Sequence, residues 1–219
     1  MFKNTYFPTT IVDGFFDNPD AIREFALKQK YFTDPSGRWP GSRTELLSDI
    51  SPSIFHSICK KILTLFFTSE QIYSYDVEIT FQLINENFLS GWVHKDSCIA
   101  TAMVYLTPES ESGTSLYFKQ NIEYEDSSYD KEKIEGYKNY SDNDTYRFQN
   151  NQHYKETVNI KGIFNRLIFF DSNIYHSAHD FFGINKENSR LTLVCFVHGI
   201  SGNLDTSLSR SKNFIGNTL

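Results

Sequence analysis

From Tyr73 to Gly199 the chain is written mainly in short runs of β-branched and aromatic residues, and this texture constrains its fold more than any other feature. YDVEITFQLI (75–84) alternates in the manner of a half-buried strand. CIATAMVYLT (98–107), TSLYF (114–118), NRLIFFD (165–171) and RLTLVCFVHG (190–199) also read as strands. Several of these are nearly continuous apolar runs, as expected where a strand is covered on both faces. The helical signal lies before them. Pro19 follows Asp17 and Asn18, a helix start in which an Asx side chain caps free amides and Pro occupies the first turn. Ile22, Phe25, Ala26 and Gln29 then fall at helical spacing and predict a helix over 19–30. SPSIFHSICKKILTLFF (51–67) predicts a second, with Ile54, Ile58, Ile62 and Leu65 on one face. TTIVDGFF (9–16) reads as a short strand ending in a turn, and TDPSGRWPGSRT (33–44) as a loop. Helices first and strands afterwards, with no βαβ alternation, predict a mainly β fold: an antiparallel sandwich or jelly roll supported by N-terminal helices.

A length of 219 residues predicts a single domain over 1–219, with helical support in 1–72, a β core in 73–200 and a tail in 201–219. Within the core, residues 119–157 hold nine acidic and six basic residues, six tyrosines and almost no aliphatics. That stretch reads as a solvated insertion, or alternatively as a lid or substrate-binding loop on the rigid scaffold. The net charge of −6 argues against a nucleic-acid partner held by general phosphate attraction. Cys59, Cys98 and Cys195 are widely spaced and odd in number, which argues against a disulfide framework or a thiolate zinc site; they read as small buried hydrophobes. The N-terminus lacks the basic start and apolar run of a signal peptide, and no apolar stretch approaches the ~18 residues of a membrane span. The expected placement is cytoplasmic.

The chemistry is carried by three separated motifs. In GWVHKDS, His94 and Asp96 stand two apart, so in an extended segment both project to one side and can bind one metal. In NRLIFFDSNIYHSAHD, His176 lies five residues beyond the strand end at Asp171, in what reads as a polar turn, with His179 close behind. Arg190 opens the strand RLTLVCFVHG, fourteen residues after His176 and eleven after His179. Either histidine can complete the set. His176 is favoured because it follows the FFD strand directly with an aromatic residue before it. Two histidines and a carboxylate on one face of a metal leave open positions opposite, the arrangement that suits non-haem iron(II) oxygenases. Such open positions accept a 2-oxo acid and O2. The distal carboxylate of 2-oxoglutarate then needs a buried cation, and the planar fork of Arg190 suits it.

HKD at 94–96, the downstream YHSAHD, and SRLTLV together resemble the HxD…H…R pattern of 2-oxoglutarate oxygenases. HKDSCIATAMVYLTPESESGTSLYF resembles the prolyl-4-hydroxylase-like branch, although Glu111-Ser112-Gly113-Thr114 replaces that branch's tighter Gly-Gly-Thr turn. TTIVDGFFDNPDAIREFA and WPGSRT are similar to small bacterial and phage-type relatives. The resemblance covers roughly residues 73–200 and implies a double-stranded β-helix core of the jelly-roll or cupin type. It implies Fe(II) ligation by His94, Asp96 and His176, with Arg190 on the C5 carboxylate of 2-oxoglutarate. Thr192 and Tyr105 are implied to reach the same carboxylate. The implied activity is hydroxylation, with O2 as second cosubstrate, of a protein or peptide side chain or of an amino-acid-like small molecule. Two other classes stand beside it: a cupin-like binding module without turnover, and a phage-type structural protein. Succinate formation separates the enzyme from both. Arg38, Trp39 and Arg43 read as a structural or solvated loop that could instead border the site. His56, His153 and His198 read as ordinary helix, loop and strand-end residues.

Overall fold

The computed structural model describes residues 7–35, 39–88, 91–108, 110, 112–121, 123 and 143–202. Among these, the large antiparallel sheet carries β1 (Thr10–Val12), β2 (Phe32–Thr33), β3 (Ser42–Arg43), β4 (Ile72–Ile84), β5 (Ala100–Tyr105), β8 (Leu167–Asp171) and β10 (Arg190–Gly202). Their order is β1-β8-β5-β10-β4-β3-β2. The small sheet has the order β7-β6-β9, with β6 at Gly113–Lys119, β7 at Tyr154–Lys161 and β9 at Tyr175–His179. An antiparallel bridge from His94 to His176 adds one more rung beside β9. The two sheets form the jelly-roll core.

Alternation along the central strands assigns each side chain to one of two layers. On β10, Leu191, Leu193, Cys195 and Val197 join Ala100, Ala102 and Val104 of β5 and Ile79 and Phe81 of β4 in the main hydrophobic core. This face is covered by α1 (Pro19–Leu27), α2 (Leu47–Ile50) and α3 (Pro52–Leu63), which contribute Ala26, Leu47, Ile58 and Ile62. On the opposite face Met103, Tyr105, Ile168, Phe170 and Val194 pack against Leu116 and Ile160 of the small sheet. Double coverage is why these strands read as unbroken apolar runs.

Several boundaries differ from those the sequence predicts. α1 starts at Pro19, capped by Asn18 Oδ1 accepting from Ala21 N–H at 3.1 Å, but stops at Leu27. α3 ends at Leu63, where the Thr64 hydroxyl donates to Lys60 O at 2.7 Å; Leu65 lies beyond the helix and is half-exposed. The strand expected over 9–16 is confined to Thr10–Val12, and the loop 33–44 contributes to the short β2–β3 pair. The segment around His176 is strand β9 and not a turn, despite its polar residues, because both its edges are hydrogen-bonded. The stretch 119–157 is not simply a solvated insertion. Its end forms α4 (Asn143–Asn151) and the start of β7, while 124–142 lie outside the described residues. β7 is an edge strand that buries only Tyr154 and Ile160, so it carries little of the apolar signal a strand reading needs.

Asn165, in the turn before β8, holds the N-terminal segment to the sheet. It sits at φ 63°, its Oδ1 accepts from Phe16 N–H and its Nδ2 donates to Phe16 O, both at 2.8 Å. Asn165→Ala leaves two buried backbone groups unpaired in a conformation alanine disfavours, and should cost about 1–3 kcal/mol or more in urea unfolding. An unchanged unfolding midpoint would show that this clamp contributes nothing.

Candidate metal centre

His94 and Asp96 lie on an extended segment between the two sheets. Its geometry is set by backbone bonds: His94 N–H donates to His176 O at 3.0 Å, and His176 N–H to His94 O at 2.9 Å. Asp96 N–H donates to Ser172 O at 3.2 Å. These bonds bring together residues eighty-two positions apart, so that the ligand atoms of His94, Asp96 and His176 all lie within 4.8 Å of one another. His94 Nε2 is 3.4 Å from Asp96 Oδ1, and His176 Nε2 is 3.2 Å from Asp96 Oδ2.

Both imidazoles are fixed in the same way. His94 Nδ1–H donates to Trp92 O at 2.8 Å and His176 Nδ1–H to Ile174 O at 2.9 Å. A carbonyl only accepts, so each Nδ1 carries a proton and Nε2 is the nitrogen presented to the carboxylate. Asp96 Oδ2 accepts from Thr101 Oγ1 at 2.6 Å, and Thr101 Oγ1 in turn meets Ser172 Oγ at 3.2 Å. Burial pushes the Asp96 pKa up, but the two imidazoles, His176 above all, outweigh it and hold the carboxyl well below the ordinary carboxylate range. The result is an ionised oxygen donor beside two oriented nitrogens, a set that fits a divalent first-row metal.

The three side chains line a cavity of about 310 Å³ whose inner end holds Arg190. This guanidinium is 1% exposed, and among the described residues its Nε and Nη2 meet no hydrogen-bond acceptor. Nη1 reaches Thr192 Oγ1 at a long 3.5 Å, and the ring centroids of Tyr105 and Phe181 lie 5.6 and 5.9 Å from Cζ. Burial lowers the Arg190 pKa and raises that of the Tyr105 phenol. The Tyr105 hydroxyl donates to Thr114 Oγ1 at 2.8 Å, so Tyr105 and Thr192 flank Arg190 without themselves lining the cavity.

The structure gathers His94, Asp96, His176 and Arg190 at one cavity and places His179 elsewhere. An odd step of three along β9 turns His179 to the other face of the small sheet, where Nδ1 bonds Asp180 Oδ2 at 2.6 Å. His56, on α3, is hydrogen-bonded to Tyr75 OH of β4, and His153 lies just before β7. His198 borders the cavity mouth, with Nε2 3.7 Å from Glu78 Oε2. Trp39 and Arg43 also border it, with the Arg43 guanidinium 4.6 Å from the Trp39 ring and 5.4 Å from Phe196; Arg38 lies outside the described residues. Thr101, Glu78 and His198 carry no motif, and their common signal is alternation on the cavity-facing side of β5, β4 and β10.

One sequence-family model, that of a family of unknown function, DUF6445, matches residues 2–197. The chain belongs to that family. No match is found among the curated proteins. Among solved structures, HygX from Streptomyces hygroscopicus with nickel and 2-oxoglutarate bound superposes with a TM-score of 0.51 at 12% identity, over 89% of this chain and 84% of that one. HygX with hygromycin B also bound gives the same TM-score at 13% identity, over the same shares of each chain. A Trichoplax adhaerens prolyl hydroxylase in complex with a peptide fragment of hypoxia inducible factor gives 0.47 at 12%, over 87% and 83%. This member of DUF6445 therefore has the fold of the Fe(II)/2-oxoglutarate-dependent dioxygenases. Among the described residues no helix is long and apolar enough to cross a membrane.

Titration with Co(II) should give one tight site that Asp96→Ala weakens by more than about 100-fold, beyond the 10- to 100-fold cost of losing an outer partner. His179→Ala should leave that affinity unchanged. Loss of binding in the His179 variant would transfer the ligand role to that residue.

Proposed function

We propose that the protein is an Fe(II)- and 2-oxoglutarate-dependent dioxygenase that hydroxylates a small molecule or a peptide side chain. The observation that carries this reading is the unbalanced charge of Arg190, buried in the same cavity as the His-Asp-His cluster. A buried cation with two N–H groups unanswered by the protein is costly, and an anionic ligand relieves that cost. A metal site alone needs no such cation; a metal site that shares its cavity with a dicarboxylate does.

His94, Asp96 and His176 would hold the metal, and Arg190 would grip the far carboxylate of 2-oxoglutarate. Tyr105 and Thr192 belong to the same end of the cavity, where they hold Arg190 in place by ring and hydroxyl contacts. Bound together, Fe(II) and 2-oxoglutarate supply oxidation of a substrate C–H bond by O2, with release of succinate and CO2. The side chains of Met103 and Val194 make the wall between Arg190 and the cavity mouth apolar, which keeps bulk water from the metal. Substrate would enter between Trp39, Arg43, Phe196, Glu78 and His198, an amphipathic rim of both charges. That rim fits a polar metabolite or a peptide side chain. Among relatives of this fold, HygX is seen with hygromycin B and the Trichoplax enzyme with a peptide.

Charge relief gives a two-sided test by thermal unfolding under Mn(II). Arg190→Met removes an unsatisfied buried charge, so the variant without 2-oxoglutarate should match or exceed the wild-type Tm. Added 2-oxoglutarate should raise the Tm of the wild type and leave that of the variant unmoved. Equal stabilisation of both proteins would remove Arg190 from the cosubstrate site. With Fe(II) and O2 in place of Mn(II), the wild type should form succinate from 2-oxoglutarate.

A further inference from the structure

The segment Gly91–His94 leads into the metal cluster with a neighbouring strand on one side only. On that side Gly91 N–H donates to Ala178 O at 2.8 Å, and His94 exchanges its two backbone bonds with His176. On the other side, among the described residues, there is no paired strand. The backbone groups there are taken instead by side chains of α4. Asn151 Oδ1 accepts from Val93 N–H at 2.9 Å, and Asn151 Nδ2 donates to Gly91 O at 3.1 Å. Asn150 Nδ2 donates to Val93 O at 3.1 Å and to Asn151 Oδ1 at 2.9 Å. One turn earlier, Arg147 Nη1 donates to Phe88 O at 3.1 Å.

Asn151 thus engages the carbonyl before Trp92 and the N–H after it, the pattern by which one residue of a parallel strand engages its neighbour. Trp92 is fully buried at the centre of this clamp, and its carbonyl is the acceptor that holds His94 Nδ1. Asn150 is 1% exposed and its bond to Val93 O is shielded from water, while the two Asn151 bonds are partly buried.

We infer that α4 is a positioning element for the metal ligand His94, acting through the Asn151 carboxamide as a substitute strand. It fixes the peptide groups around Trp92, and the Trp92 carbonyl then fixes which imidazole nitrogen faces Asp96. The inference rests on the reading of His94, Asp96 and His176 as metal ligands. Asn151 is a positioning residue and touches neither metal nor cosubstrate.

The test uses the full chain loaded with Co(II), with affinity read by calorimetry and histidine ligation by proton NMR in water. The ligating imidazoles each contribute a hyperfine-shifted exchangeable Nδ1–H resonance. Asn151→Leu keeps the branching at Cγ and removes both bonds. It should weaken Co(II) binding about 10- to 100-fold, the usual effect of losing an outer-shell partner, and displace or broaden one of the two resonances while the other stays. Asn151→Asp keeps the acceptor for Val93 N–H but not the donor to Gly91 O, and should fall between; it serves where the leucine variant does not fold. Ile58→Ala, on the buried face of α3, supplies a control that lowers Tm without touching this segment. A lowered Tm with wild-type Co(II) affinity and both resonances intact in the Asn151 variants would overturn the positioning role alone. Failure of the wild type to bind Co(II) would overturn the metal assignment and this inference with it.

Discussion

Two backbone hydrogen bonds between His94 and His176 make the site possible. They join the segment leaving β4 to strand β9, so that two imidazoles distant in sequence stand side by side with ring centroids 4.4 Å apart. Asp96, two residues beyond His94, is brought to the same point by the pleat. Each imidazole then borrows a carbonyl from its own strand, two residues back, to settle its tautomer. The geometry of the three donor side chains is therefore a product of strand pairing. Rigid strands hold a constellation more closely than loops do.

The second constraint is electrostatic. The cavity has a polar cluster at its middle and an unanswered guanidinium at its inner end, separated by apolar walls. Leaving Arg190 buried without an acceptor is a local cost to the folded chain, offset elsewhere by the apolar faces of β4, β5, β8 and β10. Proteins keep such costs where a ligand removes them. The same logic separates Arg190 from Arg166, a partly buried arginine whose charge is met by Asp13 at 2.6 Å.

How much of this was legible in the sequence depends on how much of each element's signal is carried by apolar side chains. β5, β8 and the first half of β10 are buried on both faces and β4 alternates, so all four read clearly, as did the cap and first turn of α1. HxD read clearly because its two-residue spacing is the strand period itself. β9 and β7 did not, since one carries two histidines and a serine and the other is a polar edge; their strand character comes from ladder bonds that no local pattern encodes. The choice between His176 and His179 needed only the strand register, since positions three apart cannot share a face. Thr101 on Asp96 is a contact only five residues apart but marked by no motif; Asn151 on Gly91 and Val93 is a contact across the fold, and α4 lies in a stretch whose charge and tyrosine content masked it.

The most direct measurement is anaerobic visible absorption of the protein titrated first with Fe(II) and then with 2-oxoglutarate. A weak charge-transfer band that appears only when both are present, and saturates at one equivalent of each, is the predicted result. Iron that binds at His94, Asp96 and His176 without producing the band on addition of 2-oxoglutarate would contradict the cosubstrate assignment and leave the site as a metal centre of another kind.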